Sequence, residues 1–166
     1  MLPSVFFLMQ CAVLAYALVG GVFLAFSDFI MRSLARDSED RGAEVMRVIN
    51  REVFRWVFMS LFLGMSAASV GIAVYAAVHL TGPGQSLILL SALVYLVGCF
   101  GVTLAFNVPM NEALAALEPS QAANQYWTDT YLPRWTFWNT VRTFACVLSA
   151  ALLLFGLFRM ARATVF

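Results

Sequence analysis

The sequence predicts an all-α integral membrane protein: a four-helix bundle of two parallel-related two-helix repeats, with helical polar connectors on one membrane side. Three observations predict it. Of 166 residues, 62% are hydrophobic and only 11% charged, whereas a soluble domain is roughly one-quarter charged. Four apolar runs, Val5–Phe26, Val57–Leu80, Ser86–Phe106 and Trp135–Phe158, reach the ~20 residues that a helix needs to cross a bilayer. The second half of the chain also echoes the first. A soluble globular protein is thereby excluded, and residues 1–166 read as one membrane domain with half-repeats of about 1–80 and 81–166.

The first run has no Lys or Arg ahead of it and is longer than the roughly 7–15 apolar residues of a cleavable signal, so it reads as a retained span. In the connector that follows, Met46, Ile49, Val53 and Trp56 fall on one helical stripe and Arg47, Arg51 and Arg55 on another. Ser38, Glu39 and Asp40 supply its N-terminal cap and complement the helix dipole. This helix is expected to run straight into the second span. Gly82-Pro83-Gly84 then makes a tight turn, so the second and third spans are antiparallel neighbours. In the second connector Trp127, Thr130, Tyr131 and Arg134 share a helical face until Pro133 interrupts or kinks it.

Shifting the chain by 80 residues lays Gly21-Val22-Phe23-Leu24-Ala25-Phe26-Ser27 over Gly101-Val102-Thr103-Leu104-Ala105-Phe106-Asn107. A shift of 79 lays Arg55-Trp56-Val57-Phe58 over Arg134-Trp135-Thr136-Phe137. Two spans per half make the repeats parallel, related by a pseudo-twofold axis along the membrane normal. Both long connectors then share one side, with the glycine-proline turn and both termini on the other. Arg32, Arg36, Arg41, Arg47, Arg51, Arg55 and Arg134 stand on the connector side against Arg159 and Arg162 on the other, which places the connectors in the cytoplasm. All ten basic residues are Arg, and this composition suggests a bacterial inner membrane.

Several chemistries have no footing. A net charge of +1 without a basic patch argues against nucleic acid. Cys11, Cys99 and Cys146 lie in separate apolar runs and His79 is the single histidine, so packing roles are expected for the cysteines, and neither a metal centre nor a disulfide framework. The sequence has no Gly-rich phosphate loop and no nucleophile elbow.

What remains is polar and aromatic. Trp135, Trp138, Asn139 and Arg142 are spaced i, i+3, i+4 and i+7, a face expensive against lipid. A charge inside a span faces the bundle interior or a wet cavity; alternatively Arg142 snorkels, or pairs with Glu112 or Asp28. Asn107 and Asn111 bracket Pro109 at i, i+4, either as two amides on one face or with Asn107 merely ending the helix. Trp127 and Tyr131 fit an interfacial belt as well as a binding wall. Together these residues outline a rim of flat rings suited to a planar aromatic or quinone-like small molecule.

The run Asn107-x-Pro109-x-Asn111, with Trp127, Tyr131 and Trp135-x-x-Trp138-Asn139-x-x-Arg142, resembles the signature of the DUF1772 family, also called the anthrone oxygenase family. Ala25-Phe26-Ser27-Asp28-Phe29-Ile30-Met31 and Met46-x-x-Ile49-Asn50 resemble its N-terminal half. The resemblance covers nearly the whole chain. It implies a small four-span membrane protein, some fungal relatives of which oxidise anthrones to anthraquinones without a bound metal or flavin. The expectation is thus a cofactor-independent oxygenase in which Arg142 holds an oxyanion, Asn111 and Asn139 orient it, and Asn107, Trp127, Trp135 and Trp138 bind the rings. The general base is left among Tyr131, Asp28 and Glu112. The alternative is a non-enzymatic membrane module that binds a lipid or quinone or serves as a partner subunit. Association with further copies is compatible with either.

Overall fold

A computed structural model describes residues 2–36, 39–55 and 57–163. Ser38, Trp56 and Phe166, the expected cap, a member of the apolar stripe and the C-terminus, lie outside the described residues. Helix α1 (Pro3–Ala25) passes through a π turn (Phe26–Ile30) into α2 (Met31–Arg36). After α3 (Glu39–Glu52) come α4 (Val57–His79) and α5 (Gln85–Tyr95), the latter extended by π turns at Leu96–Gly101 and Thr103–Asn107 into α6 (Val108–Ala116). Helix α7 (Gln121–Tyr126), a π turn (Trp127–Tyr131) and α8 (Leu132–Ala163) complete the described chain.

Four helical stretches are long and apolar enough to cross a membrane: Pro3–Arg36, Val57–His79, Gln85–Ala116 and Gln121–Ala163. The protein is therefore an all-helical integral membrane bundle. The first, third and fourth stretches run well past the apolar spans expected from hydropathy, because nothing breaks them at the polar boundary. Pro133 does not interrupt its helix. Like Pro109, it stands at the second position after a π turn, whose wider loop accommodates the ring and the missing N–H. Helix α3, conversely, does not run straight into α4: the chain turns at Val53–Arg55. Of its expected apolar stripe, Met46 is buried together with Ala43, Leu114, Trp127 and Tyr131, and Ile49 packs against them. Arg47 donates from Nε to the Leu114 carbonyl (2.9 Å) and from Nη2 to that of Leu117 (2.8 Å), capping the end of α6. These contacts hold α3 over the bundle end.

Helices α1 and α5 each pack against both α4 and α8. The core holds Tyr16, Val19, Ile88, Tyr95 and Leu153, while Leu8, Leu18, Val74, Phe144 and Phe155 point outward, an apolar surface that suits lipid. Small residues bring α8 close to its neighbours: a Cβ on Gly98 would stand 2.8 Å from that of Ala145, and one on Gly20 2.9 Å from that of Cys146. At the turn between α4 and α5, Gly82 has φ 116°, a region that favours glycine. A Cβ on Gly84 would collide with the Gly156 carbonyl oxygen, and with Met160 Cγ at 2.6 Å. Gly84→Ala is therefore expected to destabilise the bundle by roughly 1–3 kcal/mol, the usual cost of overpacking. A thermal midpoint in detergent equal to wild type would show that the two helices part freely there.

Candidate functional site

Polar residues from several membrane stretches converge beneath the connector layer. Helix α8 supplies Trp135, Asn139 and Arg142, all buried. Arg142 is 5% exposed, donates from Nη1 to Thr103 Oγ1 at 3.2 Å and from Nη2 to Asn139 Oδ1 at 2.7 Å, and lies over the rings of Phe23 (4.1 Å) and Trp135 (5.3 Å). Two rings and two neutral acceptors hold the guanidinium. No carboxylate does so among the described residues: Asp28 pairs with Arg32 on the exposed helix surface, and Glu112 is exposed. Neither suggested salt bridge to Arg142 forms.

Asn139 ties α8 to the first membrane stretch. Its Nδ2 donates to the Phe23 carbonyl (2.6 Å) and to Ser27 Oγ (2.7 Å), while its Oδ1 serves Arg142. Asn107 does not end its helix; it is buried within the continuous stretch, with Nδ2 donating to the Trp135 carbonyl at 3.3 Å. Asn111 Oδ1 accepts from the Tyr131 hydroxyl (2.7 Å) and from Trp135 Nε1 (2.8 Å), and Asn50 Nδ2 donates to the same hydroxyl at 3.2 Å. Tyr131 is thus fixed between two amides from different connectors.

These side chains border a chamber of about 90 Å³ lined by, among others, Phe23, Phe26, Asn50, Thr103, Asn107, Asn111, Trp135 and Arg142. Two buried polar atoms of lining residues, Arg142 Nε and Asn107 Oδ1, have no protein partner. A buried donor and a buried acceptor left bare are costly, and a ligand carrying both complementary groups would satisfy them. Among the described residues no group of three His, Cys, Asp or Glu side chains is placed to hold a metal ion.

Of the sequence-derived site residues, Asn107, Asn111, Trp135 and Arg142 line the chamber, with Asn139 behind Arg142 and Tyr131 behind Asn50 and Asn111. Two tryptophans stand elsewhere. Trp127 is buried in the connector core, stacked on Tyr131 at 5.3 Å, so it backs the wall without lining it. Trp138 stacks on Phe106 at 3.6 Å and 4°, off the chamber. Phe23, Ser27, Asn50 and Thr103 take part without having been singled out for a role. The duplication held the signal for Ser27: the 80-residue shift equates it with Asn107, and both hydrogen-bond to α8.

A family model described as Anthrone oxygenase matches residues 51–152, more than half of the chain. The match includes α4, the Asn107 to Asn111 segment and the Trp135 to Arg142 face. No curated protein and no solved structure matches.

Proposed function

The chain belongs to the anthrone oxygenase family, and on that footing we propose that it oxygenates a planar phenolic or quinone-like substrate at the Arg142 chamber without a cofactor. One observation carries the reading: a buried guanidinium with no carboxylate partner among the described residues, its Nε bare, lining the same chamber as an amide whose oxygen is bare. A cation held in low dielectric favours ionisation of a nearby phenol or enol. The resulting anion is electron-rich enough to reduce dioxygen itself. Overall a ring CH₂ becomes C=O, one oxygen atom of O₂ going to carbon and the other leaving with the two hydrogens as water. Arg142 binds the oxyanion, Asn107 accepts from an adjacent hydroxyl, and Phe23, Phe26 and Trp135 hold the ring edge. Asn111 and Asn139 are positioning residues.

The chamber is smaller than a fused tricyclic ring. The oxygen-bearing edge therefore enters while the remainder extends past Val22 and Phe54, exposed lining residues. Of the three expected bases only Tyr131 touches the chamber's amides; its hydroxyl donates its own proton to Asn111 and so orients that amide, and the substrate's proton leaves to water at the chamber mouth. Among the described residues the chamber lining holds neither a carboxylate nor an imidazole, which favours, as second reading, a binding module for the same class of molecule.

Reconstituted protein supplied with anthrone should consume one O₂ per anthrone, equally with and without EDTA. Inhibition by chelation would establish a metal requirement, and saturable anthrone binding without oxygen uptake would leave the binding module. We further propose that the membrane is a bacterial inner membrane with the connectors cytoplasmic, as the arginine asymmetry implies. Reporter fusions at Ser38 and Phe166 should then give opposite signals, and a cytoplasmic signal at Phe166 reverses the orientation.

A further inference from the structure

Cys99 and Cys146, far apart in sequence and in different helices, meet in the bundle core, where the Cys146 thiol donates to Cys99 Sγ at 3.4 Å. Both are fully buried. The approach is enforced by backbone packing. The preceding residues, Gly98 and Ala145, face each other across α8 and the π-turn extension of α5 with no room for a Cβ on Gly98, and Gly20 of α1 leaves none beside Cys146.

The pair also lies one helical turn beyond two residues of the chamber wall. Cys99 precedes Thr103 by one helical turn, and the Thr103 hydroxyl donates to the Cys99 carbonyl at 2.8 Å. Cys146 follows Arg142 by one turn on the same buried face. Both chamber residues thus stand about 5 Å along their helices from a thiol. A small uncharged oxidant that enters the chamber is one helical turn from both sulfurs. Large charged thiols such as glutathione have no such route.

We propose that Cys99 and Cys146 are an intramembrane peroxide-reactive dithiol that closes to a disulfide. One thiol sulfur attacks hydrogen peroxide: the O–O bond breaks, one oxygen stays on sulfur as a sulfenic acid, and the other takes up the thiol's proton and leaves as water. The second thiol then attacks that sulfur, forms the S–S bond and expels the second water. Two thiols lose two hydrogens and two electrons, and one peroxide becomes two waters. The proposal is independent of the oxygenase reading, because its oxidant is added peroxide.

The test uses the full chain in a Cys11→Ala background, which removes the exposed thiol and leaves only the two core cysteines. After peroxide treatment, denaturation and alkylation, both thiols should be lost to the alkylating agent. Tryptic digestion should yield a linked pair of peptides bearing Cys99 and Cys146, two hydrogens lighter than the reduced pair and separated by dithiothreitol. Cys146→Ala in the same background should instead leave Cys99 as a sulfenic acid that dimedone traps. Two freely alkylated thiols after peroxide, or two unlinked cysteines oxidised to sulfinic acids, would overturn the proposal whether or not the Cys146→Ala variant folds.

Discussion

Arg142→Lys is expected to leave the bundle folded while reducing oxygen uptake with anthrone by about 100-fold or more, the usual scale for losing a preorganised oxyanion donor. Lysine retains the charge and can still reach a neutral acceptor, so most of the electrostatic character of the chamber survives. It lacks the planar fork that reaches Thr103 and Asn139 together and the flat face that lies on Phe23 at 4.1 Å. It also has no Nε–H to present to the chamber. Structure and function therefore separate in this variant. A thermal midpoint that collapses would mean that the fork pins the helices. Full turnover in the folded variant would remove Arg142 from the reaction.

The bundle was legible because its signals are additive: four apolar runs and one tight turn each declare themselves without reference to the others. The site was legible in part, and the misses have geometric causes. At about 100° per residue, Asn139 and Arg142 fall within roughly 40° of Trp135 around α8, whereas Trp138 lies about 60° to one side. That offset turns its indole out of the chamber and onto Phe106. Trp127 was misplaced for another reason: the π turn at Trp127–Tyr131 brings residues four apart into line. Trp127, Tyr131 and Trp135 accordingly form one stack, while Thr130 and Arg134 leave the buried face. Hydropathy does not encode a π turn. Nor does it say that α3 folds over the bundle, which depends on Arg47 finding the last carbonyls of α6. Asn50 reaches Tyr131 only through that placement.

Asn139→Leu should be the most destabilising single change at the site. It removes the acceptor of Arg142 Nη2 and both donated bonds to the first membrane stretch, to the Phe23 carbonyl and Ser27 Oγ. Two general magnitudes compete. Ordinary interhelical hydrogen bonds in membranes average below about 1 kcal/mol, but depriving a buried charge of a partner costs roughly 3–5 kcal/mol. The second governs here, at its lower end, because Thr103 and two rings still hold the guanidinium. The double variant Asn139→Leu, Arg142→Met decides why the pair is present. With the charge gone, nothing in the pocket requires the lost acceptor, and an apolar replacement of a buried polar cluster is often neutral. Thermal unfolding in detergent should therefore show the double variant recovering most of the stability lost in Asn139→Leu, while oxygen uptake stays at background. A cluster retained for chemistry behaves that way. If the double variant is instead as unstable as Asn139→Leu, the loss lies in the tie between α8 and α1, and the polar pair is part of the scaffold.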